Sequence, residues 1–549
     1  MEQTLNIPCK GGLNLSATNM ELLSMMNEAI RLTNMESSKS GGYRRISGYT
    51  QYGDTVVPGG TTNIKGVITY RGGALVAKGN SLYHSFDGST WTVVNANYTA
   101  SSNKATVDAA ALVPLTTSDE RPWYISIYTE GTDDHVYIAT GNSNPVYILI
   151  TGTSDATASY TYREVALGSS LTGARYLTIY ENQVILASTD EDPTSFIYSS
   201  FASTDLSAAD ISAGITVREK YDGATAGFIS VKRPITGIKV YRDNLYVFTT
   251  NTISKVAGLE DGNAQVIPVT ENVGCVSGET IQEIGGDLIF LSHDGLRTIA
   301  GTEKNNDIEL GVISRKIAPI TDKIIQDISN MTFSSCVVIS KNQYRLWYRD
   351  SSLTTPNQKG IIASFAYDST TQQFRWDYSE MLGWTSMACD VGRTLGGADL
   401  ALFGNETGVI YEFETGNTFN GSFIPWVYQS PYGDFGDIGF RKAVHAVYLN
   451  IKLEGAAVPQ LFIKYDYDDT DSPQPAAFPL VQLDEPAIYG QALYGNTSFV
   501  YGSSAISTNE IYAEGSGHTV SFRIQDTNME DAPFEIQSFQ VNFTATGRQ

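Results

Sequence analysis

Apolar positions in this chain recur in two rhythms, one confined to a short stretch near the start and the other running through the rest. Thr18 and Glu21 stand at capping-box spacing, and Leu22, Leu23, Met26, Ala29 and Ile30 follow at helical intervals, which predicts a helix of about three turns over residues 19–31. Arg31 to Glu36 then reads as extended, and Ser40 to Tyr49 ends an N-terminal arm. Beyond residue 60 the rhythm becomes that of strands. An apolar run, a tight turn and a second run carrying Leu-Tyr, Val-Tyr or similar return again and again.

Successive copies are Ala74 to Tyr83 around Gly79-Asn80, Val136 to Ile148 around Gly141-Asn142, and Leu177 to Leu186 around Asn182. Ile238 to Phe248 around Asp243-Asn244, Ile281 to Phe290 around Gly285-Gly286, Val337 to Trp347 around Lys341-Asn342 and Asp399 to Tyr411 around Gly404-Asn405 continue the series. Turn to turn, the spacing is about 40 to 63 residues, the period of four-stranded propeller blades with outer loops of variable length. A blade leaves a sheet face bare, so copies must pack on one another, and a closed ring needs no capping repeat. The count predicts six or seven blades, with the N-terminal arm available to supply a closing strand.

From about Trp426 the segments lengthen. Ala443 to Ile451, Gln460 to Tyr465, Thr519 to Arg523 and Phe534 to Phe543 alternate over longer runs, which predicts an antiparallel β-sandwich. The expected chain is therefore all-β: an arm with one helix over 1–49, a propeller over 50–424 and a C-terminal sandwich over 425–549.

Composition supports this. Among 549 residues there are 50 glycines and 32 tyrosines, and charged residues make up only 17%, a mixture that suits pleated surfaces and turns with positive φ. The formal net charge of −23, from 36 basic and 59 acidic residues, excludes gripping DNA through clustered Lys and Arg. Cys9, Cys275, Cys336 and Cys389 show no paired spacing and read as reduced thiols of a protein made in a cytosol. The first 20 residues lack a basic region followed by an apolar run, so no signal peptide is expected, and no apolar run approaches the length of a membrane span.

Candidate chemistry is sparse. Ser85-Phe86-Asp87-Gly88-Ser89-Thr90-Trp91 has the form of an Asp box, a structural hairpin turn of many propellers, shortened by one residue. Asp466 to Asp471 places carboxylates at alternate positions but lacks the glycine and terminal glutamate of an EF-type loop, and reads as a solvated hairpin tip. His84, His135, His293, His445 and His518 lie far apart in no zinc-binding spacing. A sialidase-like site would need a Tyr–Glu pair and an arginine cluster, and only Phe522-Arg523-Ile524-Gln525 superficially matches that family's arginine motif. No nucleophile elbow, phosphate loop or dinucleotide fingerprint occurs. No enzyme, catalytic residue, metal site or cofactor is expected.

The N-terminal arm resembles that of the tail tubular, or nozzle, proteins of short-tailed phages. Lys10-Gly11-Gly12, Glu28-Ala29, Asn34 and Arg44-Arg45-Ile46-Ser47-Gly48-Tyr49 occur in that family's order and at similar spacing, although the proline usual after the arginines is absent. Gly274 to Ser277 and Phe290 to Arg297 share the style of phage propeller proteins. The resemblance implies a virion protein made in the host cytoplasm and built into the phage tail. It would form a homo-oligomeric ring of six copies beneath a tail adaptor ring, contact fibres or spikes at its side, and let genome DNA pass without specific binding. The alternative reading is a virion module with a receptor- or glycan-binding face. For a conduit, the charge balance predicts a neutral to acidic channel wall.

Overall fold

The computed structural model describes residues 2–38, 41–94, 122–141, 144–154, 157–167, 171–259, 264–300, 311–350, 358–368, 373–394, 396–453, 459–469, 474–480, 506–526 and 533–548. Six free-standing sheets of three or four strands are arranged as propeller blades. The first contains Ile64–Tyr70, Gly73–Lys78, Ser81–Ser85 and Thr92–Val93. The second runs from Tyr124–Glu130 to Ser159–Glu164, the third from Tyr176–Tyr180 to Gly227–Ser230, and the fourth from Ile235–Tyr241 to Gln265–Thr270. The fifth has three strands, Gln282–Ile284, Asp287–Ser292 and Gly295–Thr298. The sixth joins Ala388–Arg393, Asp399–Gly404 and Ile410–Phe413 to Tyr49–Gln51 from the N-terminal region. That early strand ties the two ends of the ring together.

Between the fifth and sixth blades, the remaining sector is taken by Met331–Val338, Gln343–Asp350, Lys359–Asp368 and Gln373–Leu382, the leading strands of a nine-stranded sheet. Among the described residues the ring thus contains seven radial sheets. Each gap between neighbours is filled by its own apolar cluster, as where Leu75, Ile138 and Ile148 meet between the first two blades. This is the burial that no single blade achieves alone.

Tight turns set the first hairpin of several blades. Arg71-Gly72, Glu181-Asn182, Arg242-Asp243 and Gly285-Gly286 each have positive φ at both positions, as a two-residue type I′ turn requires to match strand twist. The strand pairs Tyr180↔Gln183 and Tyr241↔Asn244 close directly over them.

Two expectations are corrected. The predicted helix over 19–31 is one turn, Asn19–Leu22, with the Thr18–Glu21 capping box in place. Beyond it the backbone hydrogen-bonds sideways: Lys10 N donates to Asn27 O (2.9 Å), Ala29 N to Gly12 O (3.0 Å) and Ile30 N to Gln429 O (2.9 Å). Neighbouring segments satisfy these groups, so the i to i+4 ladder loses its advantage and Met26 and Ala29 reach the core from irregular chain. The N-terminal region is not an arm, since Glu2–Pro8 pairs along its whole length with Phe534–Arg548.

The C-terminal strands fall in two facing sheets, each of which also takes in strands from earlier in the chain. Val427–Gln429, Val520–Gln525, Gln460–Tyr465 and Phe478–Pro479 extend the nine-stranded sheet, joined to the propeller strands through Arg31–Thr33. Phe440–Leu453, Ile506–Tyr512, Ser516–Gly517 and Phe534–Arg548 share a seven-stranded sheet with Glu2–Pro8, Met35–Ser37 and Tyr43–Arg45. Phe539 of this sheet stacks on Tyr428 (5.8 Å) and Phe522 (5.5 Å) of the other.

Candidate functional site

The inner strands of the ring line an open-mouthed cavity of about 200 Å³ on the propeller axis. Val67, Trp123, Tyr124, Lys239, Glu279, Ser335 and Asp390 are among its lining residues. Strand alternation turns every second side chain of an inner strand toward a neighbouring surface, and this places a lysine and an aspartate amid apolar neighbours. Asp390 Oδ2 accepts hydrogen bonds from Thr69 N and Thr69 Oγ1, both at 2.7 Å. Burial pushes the Asp390 carboxyl up, against the lowering effect of those bonds, and burial pushes the Lys239 ammonium down. Glu279 is held by Arg175 Nη2 at 2.6 Å, and Cys389 Sγ lies 3.1 Å from Ser334 Oγ. Sequence reasoning passed over Lys239 and Asp390. The available signal was a charge embedded in an inner-strand run, Gly237-Ile238-Lys239-Val240 and Cys389-Asp390-Val391.

The motif residues of the N-terminal region gather at a second place, the junction of propeller and C-terminal strands. Gly12 has φ +74°, and a Cβ there would lie 2.6 Å from Tyr378 N, so the close approach requires glycine. Its N–H donates to the Tyr43 hydroxyl (2.8 Å). Lys316 Nζ donates to Gly11 O (2.7 Å) and pairs with Glu28 (2.8 Å), which also accepts from Asn14 Nδ2 (2.6 Å). Asn34 is buried in the left-handed region and bonds backbone on both sides: Nδ2 donates to Leu382 O (2.9 Å) and Pro425 O (2.6 Å), while Oδ1 accepts from Leu382 N (2.9 Å).

Glu36 is the centre of an ionic knot beside it. It meets Lys341 at 2.5 Å, Arg345 at 3.3 Å and Arg44 at 3.4 Å, and both Lys341 and Arg345 also pair with Glu414. Arg345 is fully buried, its guanidinium over the rings of Trp384 (5.7 Å) and Phe413 (5.6 Å). Burial works to raise the Glu414 carboxyl, but the Arg345 and Lys341 charges overcome it and hold the group down at about 2. Arg44 and Arg45 of the N-terminal motif are engaged within the chain: Arg44 pairs with Glu36 and Arg45 is fully buried.

The Asp box is present as a turn. Asp87 Oδ1 accepts from Ser89 N (2.8 Å), Ser85 Oγ accepts from Gly88 N (2.9 Å), and Trp91 is buried with Nε1 donating to Thr55 O (3.3 Å). Of the acidic run, Thr470 and Asp471 lie outside the described residues. Asp466 Oδ1 accepts from His518 N (2.7 Å) and Thr519 N (3.0 Å), and Asp468 pairs with Lys464 at 2.8 Å. His84 and His135 bond the hydroxyls of Tyr160 (2.8 Å) and Tyr147 (2.9 Å). Among the described residues no group of three or more His, Cys, Asp or Glu side chains is placed to hold a metal, and no helix is long and apolar enough to cross a membrane.

No protein-family model matches the chain, and no curated protein matches it. Among solved structures, Hsv2 from Kluyveromyces lactis overlaps 58% of this chain and 98% of its own at 8% identity and a TM-score of 0.28. An exo-β-1,3-galactanase from Phanerochaete chrysosporium overlaps 91% of this chain and 100% of its own at 9% identity and a TM-score of 0.24. Likeness at this level carries no functional argument, and the propeller assignment stands on the chain's own sheets.

Proposed function

We propose that this chain is a structural virion protein, a subunit of an oligomeric ring in the tail tube of a short-tailed phage through which the genome leaves for the host. The observation that supports it is the position of the motif residues. Gly12, Glu28, Asn34 and Arg45 lie at the seam where N-terminal strands, propeller and C-terminal strands share sheets. A wall element of a pressurised conduit must carry load without hinges, and shared sheets remove the hinge. The work proposed is mechanical, with no catalytic step.

In this reading six copies surround the channel, an adaptor ring sits above, and fibres or spikes attach at the side. The axial cavity of one propeller, about 200 Å³, is too small to pass a duplex, so the DNA path runs along the axis of the ring of copies. With −23 charges per subunit, a wall poor in Lys and Arg repels phosphate within about a Debye length of ~8 Å and keeps the sliding barrier low. Electron microscopy of the purified chain, with native mass measurement, tests this. Six-fold rings with an open channel are expected. A chain that stays monomeric at every concentration and binds host polysaccharide would replace this reading with that of a receptor-binding module.

A further inference from the structure

Two of the four cysteines, which no spacing in the sequence pairs, meet in one gap of the ring. Strand alternation sorts the side chains of Met331–Val338 onto two faces. Ser335 Oγ donates to Glu279 O on the side of the fifth blade, whereas Ser334 Oγ reaches Ser386 Oγ (3.4 Å) and Cys389 Sγ (3.1 Å) on the side of the sixth. Cys336 shares the face of Ser334, and with Val338 it belongs to the apolar cluster that fills the gap toward the sixth blade. Across that gap Ala388–Arg393 divides in the same way: Asp390 turns to Thr69 of the first blade, while Cys389 and Val391 pack on the cluster that holds Cys336. Both thiols therefore enter one gap from neighbouring inner strands. The small side chains of Ser334, Ser386 and Cys389 let those strands run close.

The two differ in access. Cys389 lines the open-mouthed axial cavity, while Cys336 is buried behind it. Burial pushes the Cys336 thiol well up, and neighbouring Cys389 acts in the same direction. A solvent-facing thiol beside a buried one is the arrangement of an attacking and a resolving cysteine. We infer that Cys336 and Cys389 form a redox-active pair, a modification site that a low-molecular-weight disulfide converts into a covalent link between the nine-stranded sheet and the sixth blade. The Cys389 thiolate attacks one sulfur of the oxidant, forms a mixed disulfide and releases one small thiol. Cys336 then gives up its proton to water, its sulfur attacks Cys389 Sγ, and the second small thiol leaves. Two protein thiols are oxidised to one disulfide, and the small disulfide is reduced to two thiols. A reducing cytosol keeps the pair open, and an oxidising medium closes it. The inference does not depend on the tail-tube reading, because both thiols lie in one chain and the test needs no ring of copies.

The test uses the full, reduced chain and hydroxyethyl disulfide, a neutral oxidant small enough for the cavity, under native conditions. Intact mass and peptide mapping without reduction follow the reaction. A hydroxyethylthio adduct should appear first at Cys389, then give way to a chain lighter by two hydrogens and carrying a Cys336–Cys389 peptide. Cys9 and Cys275 are buried in other clusters and burial pushes each up to about 12, so both should stay unreacted. The link closes a loop over 53 positions, and Tm should rise by about 3 °C and return with dithiothreitol. Cys336→Ser should halt the reaction at the Cys389 adduct, and Cys389→Ser should leave Cys336 unmodified. Should either variant fail to fold, mapping of the unaltered chain decides by itself. The inference is overturned if Cys389 does not react, if its adduct persists without closing, if the link joins Cys9 or Cys275 instead, or if the linked chain melts no higher than the reduced one.

Discussion

Replacing Trp91 by alanine tests how the ring is closed. Trp91 belongs to the apolar cluster in which Tyr52, Val57, Ile64 and Val76 meet Leu402 and Ile410, the first blade against the sixth. It is 4% exposed, sits 6.4 Å from Tyr52 edge-on, and donates from Nε1 to Thr55 O. A buried indole removes roughly 200 Å² from water, about 5 kcal/mol at ~25 cal/mol per Å². Partial collapse of the cavity and the retained methyl bring the expected loss to about 3–4 kcal/mol. With an unfolding entropy of ~2.1 cal/mol/K per residue, a chain of 549 residues melting as one unit has about 1.15 kcal/mol/K, so Tm should fall by about 3 °C. Calorimetry at constant pH measures it. Trp91→Phe should recover part of the loss, and Asp87→Ala, which removes one turn acceptor, should lower Tm by about 1 °C. An unchanged Tm for Trp91→Ala refutes both the burial argument and the role of the Asp box in closing the ring.

Other outcomes are expected. Deleting residues 1–48 should abolish soluble folded protein rather than spare the fold and impair assembly, because it removes strands paired inside both large sheets; a deletion chain with native-like circular dichroism would contradict this. Burial lowers the His84 imidazole to about 3, below its unfolded value of ~6.5, so its contribution is complete above pH ~6.5 and falls by about 2 kcal/mol by pH 5; His84→Gln should flatten Tm over that range. Glu414, held down at about 2, contributes stability above its unfolded pKa of ~4.5 that is lost as pH falls toward 2; Glu414→Gln should remove that slope while costing about 3–5 kcal/mol at neutral pH by leaving Arg345 short of a partner, measured by denaturant titration.

The repeated strand–turn–strand pattern was legible because each blade is local: two strands, a two-residue turn and a strand period are all written within about a dozen residues. The structure keeps them with small shifts of register. Asp243-Asn244 was read as a turn, and the residues with positive φ are Arg242 and Asp243. The Asp box was legible for the same reason, since its acceptor and donors lie within four residues of one another. The helix over 19–31 was misread because its apolar spacing records burial alone, whereas the backbone groups of that stretch bond to Lys10, Gly12 and Gln429, the last of these far away in sequence.

By itself, then, the order of residues determined the all-β character, the blade-like repeats, the Asp box and the scarcity of basic charge, all of which follow from composition or from contacts close in sequence. Tertiary structure alone decided the rest. Glu36 and Arg345 are separated by 309 positions and Asn34 and Pro425 by 391, and nothing near either member announces the other. Likewise Lys239 and Asp390 read as two unremarkable charges until closure of the ring brings their strands to one axis. Pairing of Glu2–Pro8 with Phe534–Arg548 turned an apparent arm into an integral strand of a sheet, because an edge with unpaired backbone groups takes whatever complementary strand the fold brings alongside.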